Sequence, residues 1–143
     1  MNSASALIIW KDKILLFHRD NIPTIPNPDC WSLPGGIVEK GETPLQGITR
    51  ELQEEVSYVP QILEPTGKLK NGNGTTHIYM SFIDGKEAAK FKHGPGEGQE
   101  IGFFTLEEAL KLKLSPKLKY YFLKLEVQIE KKRTIKGALK VFN

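Results

Sequence analysis

Cysteine is nearly absent from this chain. Cys30 stands alone among 143 residues, so no intramolecular disulfide can form, and the composition suits a reducing compartment. No apolar run approaches the roughly 20 residues that span a bilayer. The N-terminus lacks the basic start and apolar stretch of a secretory signal, so a cytoplasmic location is expected. There is no internal repeat, and no aromatic-interleaved basic stripe of the kind that single-strand nucleic-acid binders use. What remains is ordinary for a globular domain: 39% hydrophobic and 26% charged residues, in a length that buries one core. Residues 1–143 are therefore expected to form a single domain.

The formal net charge of +3 conceals an asymmetry. Residues 1–100 carry 10 Lys/Arg against 13 Asp/Glu, and residues 101–143 carry 10 against 4. The basic third could attract an anionic substrate or nucleic acid, although a solvated basic helix face explains it equally well. Nucleic acid is thus a partner the sequence permits but does not favour.

Between Gly36 and Tyr58 a helix is expected. Thr43 can N-cap it, Pro44 suits its first position, and Gln46 completes a Thr-x-x-Gln capping box. Leu45, Ile48, Leu52 and Val56 recur at helical spacing and form one apolar stripe. Glu51, Glu54 and Glu55 then share an adjoining face within an arc of about 100°. Lysine is missing here: an acidic face that merely meets solvent would interleave basic residues for i,i+4 pairing, and this helix has only Arg50. Clustered carboxylates without counter-charge suit Mg²⁺ or Mn²⁺, which favour hard oxygen ligands.

The segment resembles the signature of the Nudix hydrolases: Gly, five residues, Glu, seven residues, Arg-Glu, an aliphatic residue, any residue, Glu-Glu, any residue, Gly, aliphatic. Gly36, Glu42, Arg50, Glu51, Leu52, Glu54 and Glu55 match. Tyr58 is a non-aliphatic variant of the last position, and Ser57 stands where glycine is expected. Glycine there serves a left-handed turn after the helix, which costs serine about 1 kcal/mol. The lead-in Trp31-Ser-Leu-Pro-Gly35-Gly36 and the run Arg50–Gln61 look especially like the MutT branch.

The resemblance implies an α/β/α sandwich with a mixed sheet between helices. It also implies hydrolysis of the diphosphate bond of a nucleoside diphosphate linked to another group, releasing a nucleoside monophosphate. By the same resemblance the metal ligands are Glu51, Glu54 and Glu55, with a carbonyl of the glycine pair, Gly35 by preference. Arg50 orients a carboxylate, and Glu42 supports the loop. A late loop glutamate completes the set: Glu97 is favoured and Glu100 is the alternative. One of these carboxylates, Glu54, Glu51 or Glu55 in the helix or a loop glutamate such as Glu97, is the general base. Arg19 is expected to meet phosphate and Gly36 to let the backbone approach substrate; Trp31, Tyr79 or Phe82 could stack on a base, although aromatic residues more commonly serve the core. His18, His77 and His93 are too scattered to read as ligands.

Along the rest of the chain, Ala4–Trp10 and Lys13–His18 form a hairpin, and residues 21–29, with three prolines, form a loop. Ile62–Lys70 and Thr75–Ile83 flank the turn Asn71-Gly-Asn-Gly74. Glu100–Phe104 is a strand. Thr105 and Glu108 form a second capping box, and Ser115-Pro116 opens a longer helix with Leu118, Tyr121, Phe122 and Leu125 on one face. In the tail, from about 132 to 143, Ile135, Leu139 and Val141 alternate as in a strand or a surface for a partner copy, which makes a homodimer a candidate assembly. An oxidised purine nucleoside triphosphate is one candidate substrate, with nucleotide sugars and dinucleoside polyphosphates as others. Against the first, no asparagine stands near the final helix, where Leu114-Ser-Pro-Lys117 is found. A non-catalytic nucleotide-binding module and a hydrolase of RNA 5′ ends are the alternative functions.

Overall fold

The computed structural model describes residues 1–132 and 138–142. Strands β1 (Ser3–Trp10) and β2 (Lys13–His18) form the expected antiparallel hairpin. Their near-continuous apolar sequence reflects burial on both faces. Leu7, Ile9, Ile14 and Leu16 join one core cluster, whereas Ala4, Ala6, Ile8 and Leu15 join the other.

β1 organises the sheet. Along one edge it pairs in parallel with β6 (Gly74–Ile83), from Ser3 opposite Thr76 to Trp10 opposite Ile83. Its other edge is shared between β4 (Gly35–Ile37), at Ser3–Ser5, and β2, at Ile9–Trp10. Beyond β6 lies β5 (Glu64–Asn71), joined to it through Gly72 and Asn73. β2 also carries β3 (Trp31–Ser32) on one edge and β7 (Glu100–Thr105) on the other.

Helix α1 (Pro44–Val56) covers one face of this mixed sheet. The short α3 (Leu106–Leu110) and the long α4 (Pro116–Lys132) cover the other, and a single turn of helix, α2 (Gly85–Ala88), follows β6. The fold is α/β/α, as expected. No helix among the described residues is long and apolar enough to cross a membrane.

Two details depart from the expected pattern. Leu45 is 48% exposed rather than buried. The first turn of α1 rests instead on the preceding loop through Gly47, which fits closely against Val38 and Glu42, so the buried stripe begins at Ile48. In the tail, Leu139–Phe142 forms a 3₁₀ turn, not a strand. Its period of about three residues puts Leu139 and Phe142 on one side. Both are buried with Ala138 in the cluster of α3 and α4. Ile135 lies outside the described residues.

Candidate functional site

The site is built on helix α1, whose two ends are both satisfied. At its N-terminus the Thr43 hydroxyl accepts from the Gln46 backbone N–H, and the Gln46 side-chain Oε1 accepts from the Thr43 backbone N–H. At its C-terminus Ser57 takes the left-handed conformation, with φ 62° and ψ 12°. The carbonyls of Glu55 and Val56 accept from the N–H groups of Gly94 and Lys92, at 2.9 and 3.0 Å. A helix leaves its last carbonyls without internal partners, and here the loop after α2 supplies them. That docking brings Glu97 to the helix.

The loop is held from both sides. The His93 Nε2–H donates to the carbonyls of Glu97 and Gly98, each at 2.9 Å. The Gly98 N–H donates to Asp20 Oδ2 at 3.1 Å. Gly98 has φ 77°, and the Phe17 ring occupies the space a side chain would need. As a result, Glu51, Glu54 and Glu97 each place one carboxylate oxygen within 4.8 Å of the others.

Arg50 ties the helix to the loop before it. Its guanidinium grips Glu42 with two bonds, Nε to Oε2 at 2.8 Å and Nη2 to Oε1 at 3.1 Å. It also donates to Glu51 Oε1 at 3.0 Å and to the Ile37 carbonyl at 3.1 Å. This fork geometry is specific to arginine. Arg50 holds the Glu42 carboxyl below its ordinary pKa. Glu51 is pushed up by burial, against the pull of Arg50 and with help from Glu97 and Glu54.

Glu55 sits apart from these three. It is 1% exposed, and its Oε1 accepts from the Gly35 N–H at 2.8 Å. Burial pushes its pKa up to about 9; the Gly35 bond opposes the shift, and the nearby Glu51 and Glu97 add to it.

The glycine pair is sterically required. Gly35 has φ 150°, and a Cβ there would collide with the Ala4 carbonyl. A Cβ on Gly36 would lie 2.6 Å from Glu51 Oε1.

A cleft of about 590 Å³ opens beside these residues, within the usual range for small-molecule sites. Arg19, Gly35, Gly36, Glu51 and Glu97 line one end, and Lys117, Tyr121 and Phe142 line the other. Arg19 is steadied by a 2.9 Å bond from Nε to the Pro26 carbonyl.

Four of the expected site residues are placed elsewhere. Glu100 lies opposite His18 across the β2–β7 ladder and accepts from His18 Nδ1 at 3.2 Å, so its carboxylate does not join the cluster. Trp31 pairs beside His18 in the sheet, stacks on the His18 ring at 4.6 Å, and is 8% exposed. It is not among the cleft-lining residues, and neither are Tyr79, also 8% exposed, and Phe82. His93 is a structural histidine and not a ligand, as its isolation in the sequence suggested, and it holds the Glu97 loop; sequence reasoning missed Asp20, which holds the loop from the end of β2.

The NUDIX domain family model matches residues 1–125. The chain belongs to the Nudix family. Its resemblance lies with the MutT-like branch: it is 46% identical over 108 residues to a MutT-like protein of Streptomyces ambofaciens, covering 74% of this chain and 64% of the relative. It is 35% identical over 109 residues to an ADP-ribose pyrophosphatase of Methanocaldococcus jannaschii, covering 73% and 62%. The chain spans less than two thirds of the length of these curated relatives. Among solved structures, the NUDIX domain of Shewanella oneidensis NrtR, complexed with ADP ribose, superposes with a TM-score of 0.70 at 20% identity, covering 94% of this chain and 88% of that one. That likeness establishes the Nudix fold.

Proposed function

We propose that this Nudix chain is a divalent-metal-dependent hydrolase of the phosphoanhydride bond in a nucleoside diphosphate linked to another group. The observation that carries the reading is the convergence of Glu51, Glu54 and Glu97 within 4.8 Å, with Glu51 and Glu97 lining the cleft.

The donor set fits Mg²⁺ or Mn²⁺. All donors are hard carboxylate oxygens, and ligands around an octahedral ion at ~2.1 Å lie about 3 to 4 Å apart, a contraction of under 2 Å from this arrangement. When bound, such an ion neutralises diphosphate charge and makes water more acidic. Glu55 and the carbonyl of Gly35 complete the proposed ligand set, and Glu100 is set aside.

The side chains divide the remaining tasks. Arg50 holds Glu51 in place and keeps the loop from Ile37 to Glu42 against the helix. Arg19 offers its guanidinium to the phosphates. Water attacks phosphorus, its proton passes to one of the cluster carboxylates, and the bridging P–O bond breaks. The products are a nucleoside monophosphate and the phosphorylated remainder.

Oxidised purine triphosphates, which would make this a nucleotide-pool cleansing enzyme, stand beside ADP-ribose-like compounds as first substrates to test. The lone buried Cys30 suits the cytoplasm.

The test is incubation with Mg²⁺ and a panel of nucleoside triphosphates, 8-oxo-dGTP, ADP-ribose, nucleotide sugars and dinucleoside polyphosphates, with products read by mass. A nucleoside monophosphate that appears with Mg²⁺ and vanishes with EDTA is the expected result. Silence across the panel refutes the reading in favour of a non-catalytic nucleotide-binding module or an RNA 5′ end as target.

A further inference from the structure

Gln99 stands outside the cleft yet is tied to two parts of its wall. It is exposed and is not among the cleft-lining residues. Its side-chain Nε2 donates to the Arg19 carbonyl at 2.8 Å and to Asp29 Oδ1 at 2.9 Å. Neither a carbonyl nor an ionised carboxylate can donate, so the amide nitrogen must face them, and both of its hydrogens are used. The Asp29 carboxyl is held below its ordinary pKa, first by this bond and then, against burial, by the His18 ring.

The two bonds fix Arg19 from both of its ends. One holds its main chain, whose N–H also donates to the Cys30 carbonyl at 2.9 Å. The other holds Asp29 in the proline-rich loop, and the Pro26 carbonyl of that loop receives the Arg19 Nε–H. That bond uses one of the three guanidinium nitrogens that can donate. The Arg19 charge lies close enough to the helix carboxylates to oppose the raised pKa of Glu55.

On its other side Gln99 is two residues from Glu97. The intervening Gly98 N–H donates to Asp20 Oδ2, and the Gln99 N–H donates to the His18 carbonyl at 2.8 Å. Residues 18–20 and 97–99 are thus joined through main chain and side chain alike. A displacement of Glu97 is carried by Gln99 to Arg19.

We propose that Gln99 is a positioning residue that couples the carboxylate cluster to Arg19, so that the pose of Glu97 sets the pose of the guanidinium. This rests on the hydrolase reading above and adds an internal coupling to its site. By linkage the dependence is mutual: a diphosphate seated on Arg19 favours the loop pose that keeps Glu97 beside Glu51 and Glu54.

The test is a double-mutant cycle on binding to the full chain. The probes are Mn²⁺ and methylenediphosphonate, a diphosphate whose bridging carbon resists hydrolysis. Calorimetry at saturating Mn²⁺ compares wild type, Gln99→Met, Arg19→Ala and the double variant. Methionine keeps the length of the side chain and removes both donors. Gln99→Met should weaken the bisphosphonate about fivefold, and Arg19→Ala about tenfold or more. The double variant should match Arg19→Ala within about twofold. Mn²⁺ alone, followed by electron paramagnetic resonance, should bind several-fold more weakly to Gln99→Met than to wild type.

Three results overturn the proposal: undiminished bisphosphonate affinity in Gln99→Met, Mn²⁺ binding that Gln99→Met leaves unchanged, or the same loss from Gln99→Met with and without Arg19→Ala. A residue that only keeps the fold weakens both backgrounds alike. Turnover separates this inference from the hydrolase reading. Hydrolysis of a panel nucleotide with an additive cycle keeps the hydrolase and removes the coupling, and a non-additive cycle without hydrolysis does the reverse.

Discussion

Glu55→Gln should stabilise the metal-free protein at alkaline pH while abolishing turnover. Glu55 is buried, and its carboxyl pKa is raised to about 9 from an ordinary value of 4.5. Below pH 4.5 it is neutral in both folded and unfolded chains and has no effect on the balance. Between 4.5 and 9 the unfolded chain releases the proton and the folded chain keeps it. Stability then falls by about 1.4 kcal/mol per pH unit, and above 9 the loss levels off. By pH 7.5 the accumulated cost is about 4 kcal/mol, a large part of a typical total of 5–15 kcal/mol. Glutamine has the same shape, keeps an acceptor for the Gly35 N–H, and never ionises. Urea titrations in EDTA at pH 5, 7 and 8.5 should therefore find the two proteins alike at pH 5. The variant's midpoint should be higher by about 2–5 M at pH 8.5. Mg²⁺ should then stabilise the wild type at pH 8.5 by more than it stabilises the variant, because the Glu55 carboxylate is a group the ion would compensate. Parallel pH profiles, or a variant weaker than wild type at pH 8.5, would refute the reasoning.

Three other substitutions probe the surroundings. Arg50→Lys should lower kcat by about 100-fold and reduce Tm, because one ammonium cannot serve Glu42, Glu51 and the Ile37 carbonyl together; unchanged kcat would deny the positioning role. Ser57→Gly should raise stability by about 1 kcal/mol, seen calorimetrically as a Tm increase of about 2–5 °C with kcat unaltered. His93→Ala should loosen the Glu97 loop and raise the Mg²⁺ concentration needed for half-maximal activity several-fold, with KM for nucleotide at saturating Mg²⁺ nearly constant.

What the sequence made legible was the part built from near neighbours. The two capping boxes, the carboxylate face, the hairpin at Lys11–Asp12 and the left-handed Ser57 all depend on residues a few positions apart, where helical and strand periods speak directly. The parallel pairing of β1 with β6 depends on residues more than seventy positions apart and leaves no local signature. Glu97 and Glu100 were three positions apart in one loop, and only the capping of α1 by Lys92 and Gly94 brings the first inward while the strand pairing commits the second to His18. Trp31 read as a stacking surface because the sequence cannot show that β3 lays it on His18. The alternation of Leu139 and Val141 suggested a strand, whereas the burial that counts joins Leu139 to Phe142.

The reach of Arg50 bears on how the chain can fold. Its bonds to Glu42 and to the Ile37 carbonyl close loops of 8 and 13 residues, and the Gly35–Glu55 bond closes one of 20. The Ser3–Thr76 contact that accompanies sheet closure spans 73. Short closures cost less chain entropy and form sooner. The acidic helix can therefore be drawn up, with its own arginine as internal counter-ion, while the strand that will flank it is still missing. Glu97 arrives later, together with the sheet. The same cation that sets the carboxylates in the finished enzyme thus keeps them from repelling one another during assembly, before any external ion has a complete site to enter.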